Sequence, residues 1–371
     1  MIRKTWIVTA PVTVLASLTT SAVIALADSP CLDALAQSAV CPAANRRALE
    51  IMTAKQLKAV TVVQDVRTGA VVAFAASHPS DLDVATAMCP LSLSKLLLCA
   101  SWWDNLQPDS GFDDVRGTPA KQNSDHKSRV SVHEILVGGS DFAGKQMAIA
   151  LRKSVGAETV LEDFKRYGFG QRSNLRKDEI FSGEFAPTWK ARLTPPAASV
   201  SLSNATNDDE WAETLSIGEM NMSVTALDIS RFLQAIGNHG LMLPAVARDE
   251  QSERSSVPHQ EPRNSMRVMR ESTALRLQSA MRDCVQRGSA KSIARALEGS
   301  GWHIGGKTGS GTALMPKGPQ IDGWFAGLIF DPESRAKFTV ATFVRSGGYG
   351  GENAAKISAE LARYLIAATP R

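Results

Sequence analysis

The sequence predicts an α+β fold: an antiparallel sheet of about five strands flanked by helices, with an all-helical lobe inserted between the early and the late strands. Three observations predict it. Two apolar, β-branched runs stand near the start, at 60–63 and 70–75. Helical periodicity fills the middle of the chain, and three successive strand-like segments precede a last amphipathic helix. The composition agrees: 371 residues, 44% hydrophobic and 21% charged, which excludes disorder, collagen-like repeats and a disulfide-dense miniprotein.

The first 27 residues read as a secretory signal, 1–27. Arg3 and Lys4 make a short positive start, Trp6 to Leu26 is almost uncharged, and Ala25-Leu26-Ala27 is a small-x-small cleavage site before Asp28. The alternative is an uncleaved anchor, since an apolar stretch of about 20 residues can span a bilayer. Either way the rest of the chain is expected outside the cytoplasm, periplasmic or extracytoplasmic, with membrane association through this segment if it stays. No lipobox precedes Cys31, and no second segment could span a membrane. Loss of Arg3 and Lys4 lowers the formal charge from +4 to +2. With no block of five like charges, nucleic acid is not an expected partner. Export permits disulfides, and Cys31 with Cys41 is the best pair among five cysteines. No CxxC or HxxxH occurs, so neither a metal nor a cofactor is expected.

Residues 28–56 form an N-terminal helical extension, with a charged helical stretch around 45–57. The runs at 60–63 and 70–75 are joined by Asp65-Val66-Arg67-Thr68-Gly69, a hairpin signal with Gly at the turn. A dense apolar helix runs from Leu91 to Trp103, and a polar loop follows over 104–129. Helices are expected over 132–137, 143–155, 160–167 and 224–236, the last stopped by Gly237-Asn238-His239-Gly240. The very polar stretch 248–267 reads as a surface loop and 273–285 as a helix. Strands are expected over 301–306, 323–330 and 338–345, with Asp331-Pro332-Glu333-Ser334 turning the second into the third, and a helix over 353–368 closes the chain. The main domain therefore spans 57–371 with its helical lobe at about 105–290, and a cleft at the sheet edge is the natural site.

Few histidines and no metal pattern narrow the nucleophile to a serine activated by something other than histidine. Ser-x-x-Lys supplies such a pair, because residues i and i+3 share a helix face and the amine can take the hydroxyl proton. Three instances occur: Ser92/Lys95, Ser124/Lys127 and Ser334/Lys337. Ser124 falls in the polar loop and Ser334 in a strand turn, whereas Ser92 follows Cys89-Pro90-Leu91 and opens a buried helix. Burial there would lower the Lys95 pKa, and the helix start offers N–H groups to an oxyanion. A second element is Lys307-Thr308-Gly309, between Gly305-Gly306 and Ser310-Gly311-Thr312. On a strand Lys307 and Gly309 point to one side and Thr308 to the other, and Gly309 lets another segment approach closely.

In this order the segments resemble the transpeptidase domain of penicillin-binding proteins, in the superfamily of serine D-Ala-D-Ala peptidases and serine β-lactamases. The resemblance covers essentially all of 57–371: Thr61 to Ala76 is similar to the opening hairpin, Pro90-Leu91-Ser92-Leu93-Ser94-Lys95 to the nucleophile motif, and Ser216-Ile217-Gly218 through Asn238-His239-Gly240 to the stretch before the final strands. Gly306 to Thr312 and Trp324-Phe325-Ala326-Gly327 match the closing strands. The resemblance implies that Ser92 is acylated, that Lys95 is its general base, and that the Ser92 and Ser310 N–H groups form the oxyanion hole. Lys307 and Thr308 would hold the substrate carboxylate. The middle motif departs from the family's Ser-x-Asn: the candidate is Ser140-Asp141-Phe142, in which Ser140 would relay a proton and Phe142 lacks the amide. Ser124-Asp125-His126 competes with it.

The function so implied is an exported peptidoglycan D,D-transpeptidase that forms a serine acyl-enzyme with D-Ala-D-Ala stem peptides. Stem peptide would be its partner, and β-lactams its inhibitors or substrates. A D,D-carboxypeptidase differs only in using water as acceptor. A class D-like β-lactamase would tolerate Phe142, but its Tyr-Gly-Asn is matched only in part by Tyr167-Gly168-Phe169. A non-catalytic sensor or scaffold that binds β-lactams or peptidoglycan is the remaining alternative.

Overall fold

A computed structural model describes residues 41–83, 86–106, 110–115, 127–169, 199–200, 208–219, 222–245, 265–315 and 318–369. Residues 1–27, Cys31, the loop with Ser124-Asp125-His126 and most of 248–267 lie outside the described residues.

Five strands make one antiparallel sheet: β1 (Lys58–Gln64), β2 (Val71–Ala76), and, beyond a small hairpin of β3 (Gly111–Val115) and β4 (Lys127–Ser131), the late strands β5 (His303–Met315), β6 (Gly318–Phe330) and β7 (Ala336–Arg345). The order is β2-β1-β7-β6-β5, so the two ends of the chain meet where β1 pairs with β7, Val60 opposite Phe343. Side chains alternate between two apolar clusters. Trp324, Ala326, Leu328 and Phe330 of β6 join the core beneath the lobe, while Phe325 and Ile329 join a second core on the other face. Both faces are covered, which is why these strands read as almost continuous apolar runs.

The second face is covered by α1 (Pro42–Ala54) and the C-terminal α9 (Asn353–Ala367). Ala44, Ala48, Ile51 and Met52 form the buried stripe of α1, at spacings that place them on one helix face. Burying a side chain the size of Ile51 or Met52 is worth about 1.5–3 kcal/mol, so the extension is part of the sheet's packing. Cys41 caps α1 and is disulfide-bonded.

The first face carries the lobe. Its spine is α2 (Ser94–Asn105), preceded by a 3-10 turn at Leu91–Leu93. Around it lie α3 (Val132–Gly138), α4 (Asp141–Val155), α5 (Ala157–Arg166), α6 (Asp208–Ile217), α7 (Ala226–Gly237) and α8 (Glu271–Gln286). In α7 a capping box of Thr225 and Asp228 fixes the start. Two features differ from expectation. The stretch 104–129 holds the β3–β4 hairpin, anchored by Phe112, whose ring packs edge-on against Trp102 with centroids 5.1 Å apart. Helix α6 was not expected at all.

Tyr167-Gly168-Phe169 is core. The Tyr167 hydroxyl donates to Asp104 at 2.8 Å, and both aromatic rings pack on Phe232. Nothing in that arrangement brings the segment to Ser92.

Candidate active site

Ser92 sits in the 3-10 turn, half-buried, one residue after a strained backbone. Leu91 has φ of +55°, a region costly for a branched side chain. Gly218 holds that conformation. Its carbonyl accepts from the Leu91 N–H at 2.9 Å, and at φ of +75° a Cβ on it would lie 2.1 Å from the Leu91 carbonyl oxygen. From the other side Gly309 brings β5 against the same turn, since a Cβ there would lie 3.1 Å from the Pro90 carbonyl and 3.2 Å from Leu91 Cβ. The close approach expected of Gly309 is thus toward the nucleophile segment.

One turn on, Lys95 is wholly buried. Its Nζ donates to Ser92 Oγ at 3.1 Å, to Asp141 Oδ1 at 2.6 Å and to the Ser216 carbonyl at 2.6 Å. Those three bonds use all the hydrogens of an ammonium group. Burial pushes the Lys95 pKa down, and the Asp141 carboxylate, bonded to the amine, pushes it back up. The net direction is downward, toward the neutral amine a general base needs.

Lys307, on β5, is the second buried lysine of the cleft. Its Nζ donates to Ser289 Oγ at 3.2 Å, and burial pushes its pKa down to about 8, with the Lys95 charge adding to the effect. Thr308 is 5% exposed, opposite Phe325 of β6, and Ser310 Oγ accepts from the Gly350 N–H at 3.0 Å. Cys284 lies behind Lys307. Its thiol, raised to about 11 by burial, is inert at neutral pH.

Ser140 is not brought to Lys95. It is the N-cap of α4: its Oγ accepts from the Ala143 N–H at 3.1 Å and donates to Asp114 Oδ1 at 2.5 Å. The Ser140 hydroxyl proton is thus directed at a carboxylate of the β3–β4 hairpin, and Ser140 makes no hydrogen bond to Lys95. Phe142 is 47% exposed. The group that reaches Lys95 is Asp141, the residue between them. Asp141, Ser289 and the Ser216 carbonyl were not read as site residues. The one available signal was Ser140 itself, a preferred cap residue directly before a helix with Asp141 in its first turn.

The arrangement places a hydroxyl beside a desolvated amine, with a second buried cation and a Thr308 hydroxyl along the neighbouring strand. Such a set can take a proton from a nucleophile and hold an anionic ligand. A cavity of about 400 Å³ lined by Gln286, Arg295, Trp302 and His303 contains none of these residues.

A model of the penicillin-binding protein transpeptidase domain matches residues 59–363. The chain belongs to that family. It is 27% identical over 245 residues to penicillin-binding protein PbpB of Mycolicibacterium smegmatis, a match that takes in 62% of this chain and 34% of that protein. The chain thus spans about a third of the length of that curated relative. Among solved structures, a peptidoglycan glycosyltransferase from Burkholderia ambifaria superposes with a TM-score of 0.67 at 20% identity, over 89% of this chain and 96% of that one. A ceftriaxone acyl-enzyme complex of penicillin-binding protein A from Mycobacterium tuberculosis gives 0.66 at 16%, over 90% and 79%. These likenesses bear out the expected α+β transpeptidase-like fold.

Proposed function

We propose that the protein is an exported, penicillin-binding D,D-transpeptidase of peptidoglycan that works through an acyl-enzyme on Ser92. The observation that carries the proposal is the 3.1 Å contact between Ser92 Oγ and the wholly buried Lys95 amine. In its neutral form the amine takes the Ser92 proton as Oγ attacks the penultimate D-Ala carbonyl of a stem peptide. The C–N bond to the terminal D-Ala then breaks, and the proton passes from Lys95 to the departing amine. An acceptor amine from a second strand next attacks the ester, and Ser92 recovers its proton. The N–H groups of Ser92 and Ser310 stabilise the oxyanion. Lys307 and Thr308 bind the terminal carboxylate that stem peptides and β-lactams share, assisted by Gly309, which lets β5 lie against the nucleophile turn.

β-Lactams would acylate the same serine by ring opening, with no group lost; the acyl-enzyme named for the M. tuberculosis relative supports this reading. Residues 1–27, with Arg3, Lys4 and Ala25-Leu26-Ala27, support export and leave membrane anchoring as the outcome if cleavage fails. The test is to incubate the purified protein with a pentapeptide stem, with and without a D-amino acid or amine acceptor. Release of D-Ala coupled to a new amide product, lost in Ser92→Ala, is the expected result. Release of D-Ala with water as the only acceptor would make it a carboxypeptidase, and no release from the wild type would overturn the acyl-transfer reading.

A further inference from the structure

Gly139, Ser140 and Asp141 join α3 to α4, and the cleft sees their odd-numbered members. At Gly139, which has φ of +74°, a Cβ would meet only the Lys307 amine within 4 Å, at 3.2 Å. The Asp141 carboxylate, on the first turn of α4, is bonded to the Lys95 amine at 2.6 Å. Ser140, between them, directs its oxygen away to Asp114. The middle segment therefore presents to the two lysines a side-chain-free position and a carboxylate, and no hydroxyl.

We propose that Asp141 is the positioning residue of the Lys95 amine: its carboxylate holds that amine beside Ser92 and governs when it gives up its proton. The inference rests on reading Ser92 and Lys95 as the acyl-transfer pair. Of the three acceptors around Lys95 Nζ, the Ser92 hydroxyl and the Ser216 carbonyl are neutral, so Asp141 alone among them distinguishes the charged amine from the neutral one. The other titratable groups facing it are Lys307 from β5, which opposes a positive charge, and Cys99 on its own helix, which favours one when ionised. Burial disfavours the charge, and Asp141 is the main counterweight. Its side chain is 60% exposed and carries no core packing, so its charge can be removed without unfolding the lobe.

The protein is labelled with 13C at lysine Cε, the Lys95 resonance is assigned by its loss in Lys95→Met, and its shift is followed against pH. Asp141→Asn is expected to lower the Lys95 midpoint by about one unit or more, the usual size of an opposite-charge contact. Asp141→Glu, which keeps the charge, is expected to return it toward wild type, and Ser140→Ala to leave it in place. The rising limb of labelling by a fluorescent penicillin should move to lower pH by the same interval in Asp141→Asn. A Lys95 midpoint indifferent to Asp141→Asn, or one that moves as far in Ser140→Ala, overturns the assignment. The titration needs no β-lactam, so a wild type that fails to label sinks the acyl-transfer reading while the Lys95 midpoint still decides this one.

Discussion

Lys95 and Lys307 are both wholly or almost wholly buried, at 0% and 1% exposure, yet their surroundings differ. Lys95 has a carboxylate, a carbonyl and a hydroxyl on its three hydrogens. Lys307 has the Ser289 hydroxyl and a bare glycine beside it. A buried cation with no anion bonded to it is expensive, and the Lys307 pKa, held down to about 8 by burial despite the opposing pull of Cys284 and Asp141, is that expense expressed as lost basicity. The difference separates their roles. The charge of Lys95 is balanced from within the protein, as the proposed proton shuttle requires, whereas in the proposed function that of Lys307 is completed by the anion a ligand brings.

The largest expected effect is at the internally balanced lysine. Lys95→Met should reduce the rate of penicillin labelling about a thousandfold, the scale of losing a positioned general base, while melting stays cooperative. Lys307→Met should weaken labelling about a hundredfold through lost carboxylate binding. Its stability should be unchanged or higher in guanidinium unfolding, because an unpaired buried charge is being replaced by an apolar side chain. A large fall in stability would mean that Lys307 has an anionic partner of its own and would erase the contrast.

The pH dependence follows from the same contrast. The Lys307 amine is charged below its pKa of about 8 and loses its proton above it, well short of the ordinary lysine value. Binding of a stem peptide to Ser92→Ala, read by calorimetry, should hold constant below that point and fall by about tenfold per pH unit above it, until the pKa of the complex is reached. Affinity that persists unchanged well into the alkaline range would place the carboxylate elsewhere.

Two smaller effects probe what positions the lysines. Gly218→Ala would drive a Cβ into the Leu91 carbonyl in a left-handed backbone; a loss of about 2 kcal/mol or more is expected, with labelling slowed because the Ser92 turn must shift. Ser140→Ala should lose about 1 kcal/mol in thermal unfolding for the N-cap and up to about 1.5–3 kcal/mol more for the bond to the Asp114 carboxylate. A far larger effect on labelling than on stability would restore the hydroxyl relay to Ser140.

Ser92 with Lys95 was legible because a helix converts the i, i+3 spacing directly into contact. Lys307-Thr308-Gly309 was legible from its glycine flanks, which only make sense where two segments touch. The paired ends of the sheet could be read from the period of the apolar residues alone. The middle segment could not. Which of Gly139, Ser140 and Asp141 faces the lysines depends on where α4 lies against α2, and the hairpin carrying Asp114, which takes the Ser140 hydroxyl, stands in a stretch too polar to read as strands. Position along the chain singled out the loop that reaches Lys95, and tertiary packing decided that Asp141 makes the contact.

The central claim is that Ser92 is the acylated nucleophile. The most direct measurement is the intact mass of the purified protein after incubation with a penicillin, followed by peptide mapping of the adduct. The account predicts a slowly released gain of one antibiotic mass on the peptide containing Ser92, absent in Ser92→Ala. No gain on the wild type, or a gain that survives Ser92→Ala, would contradict it.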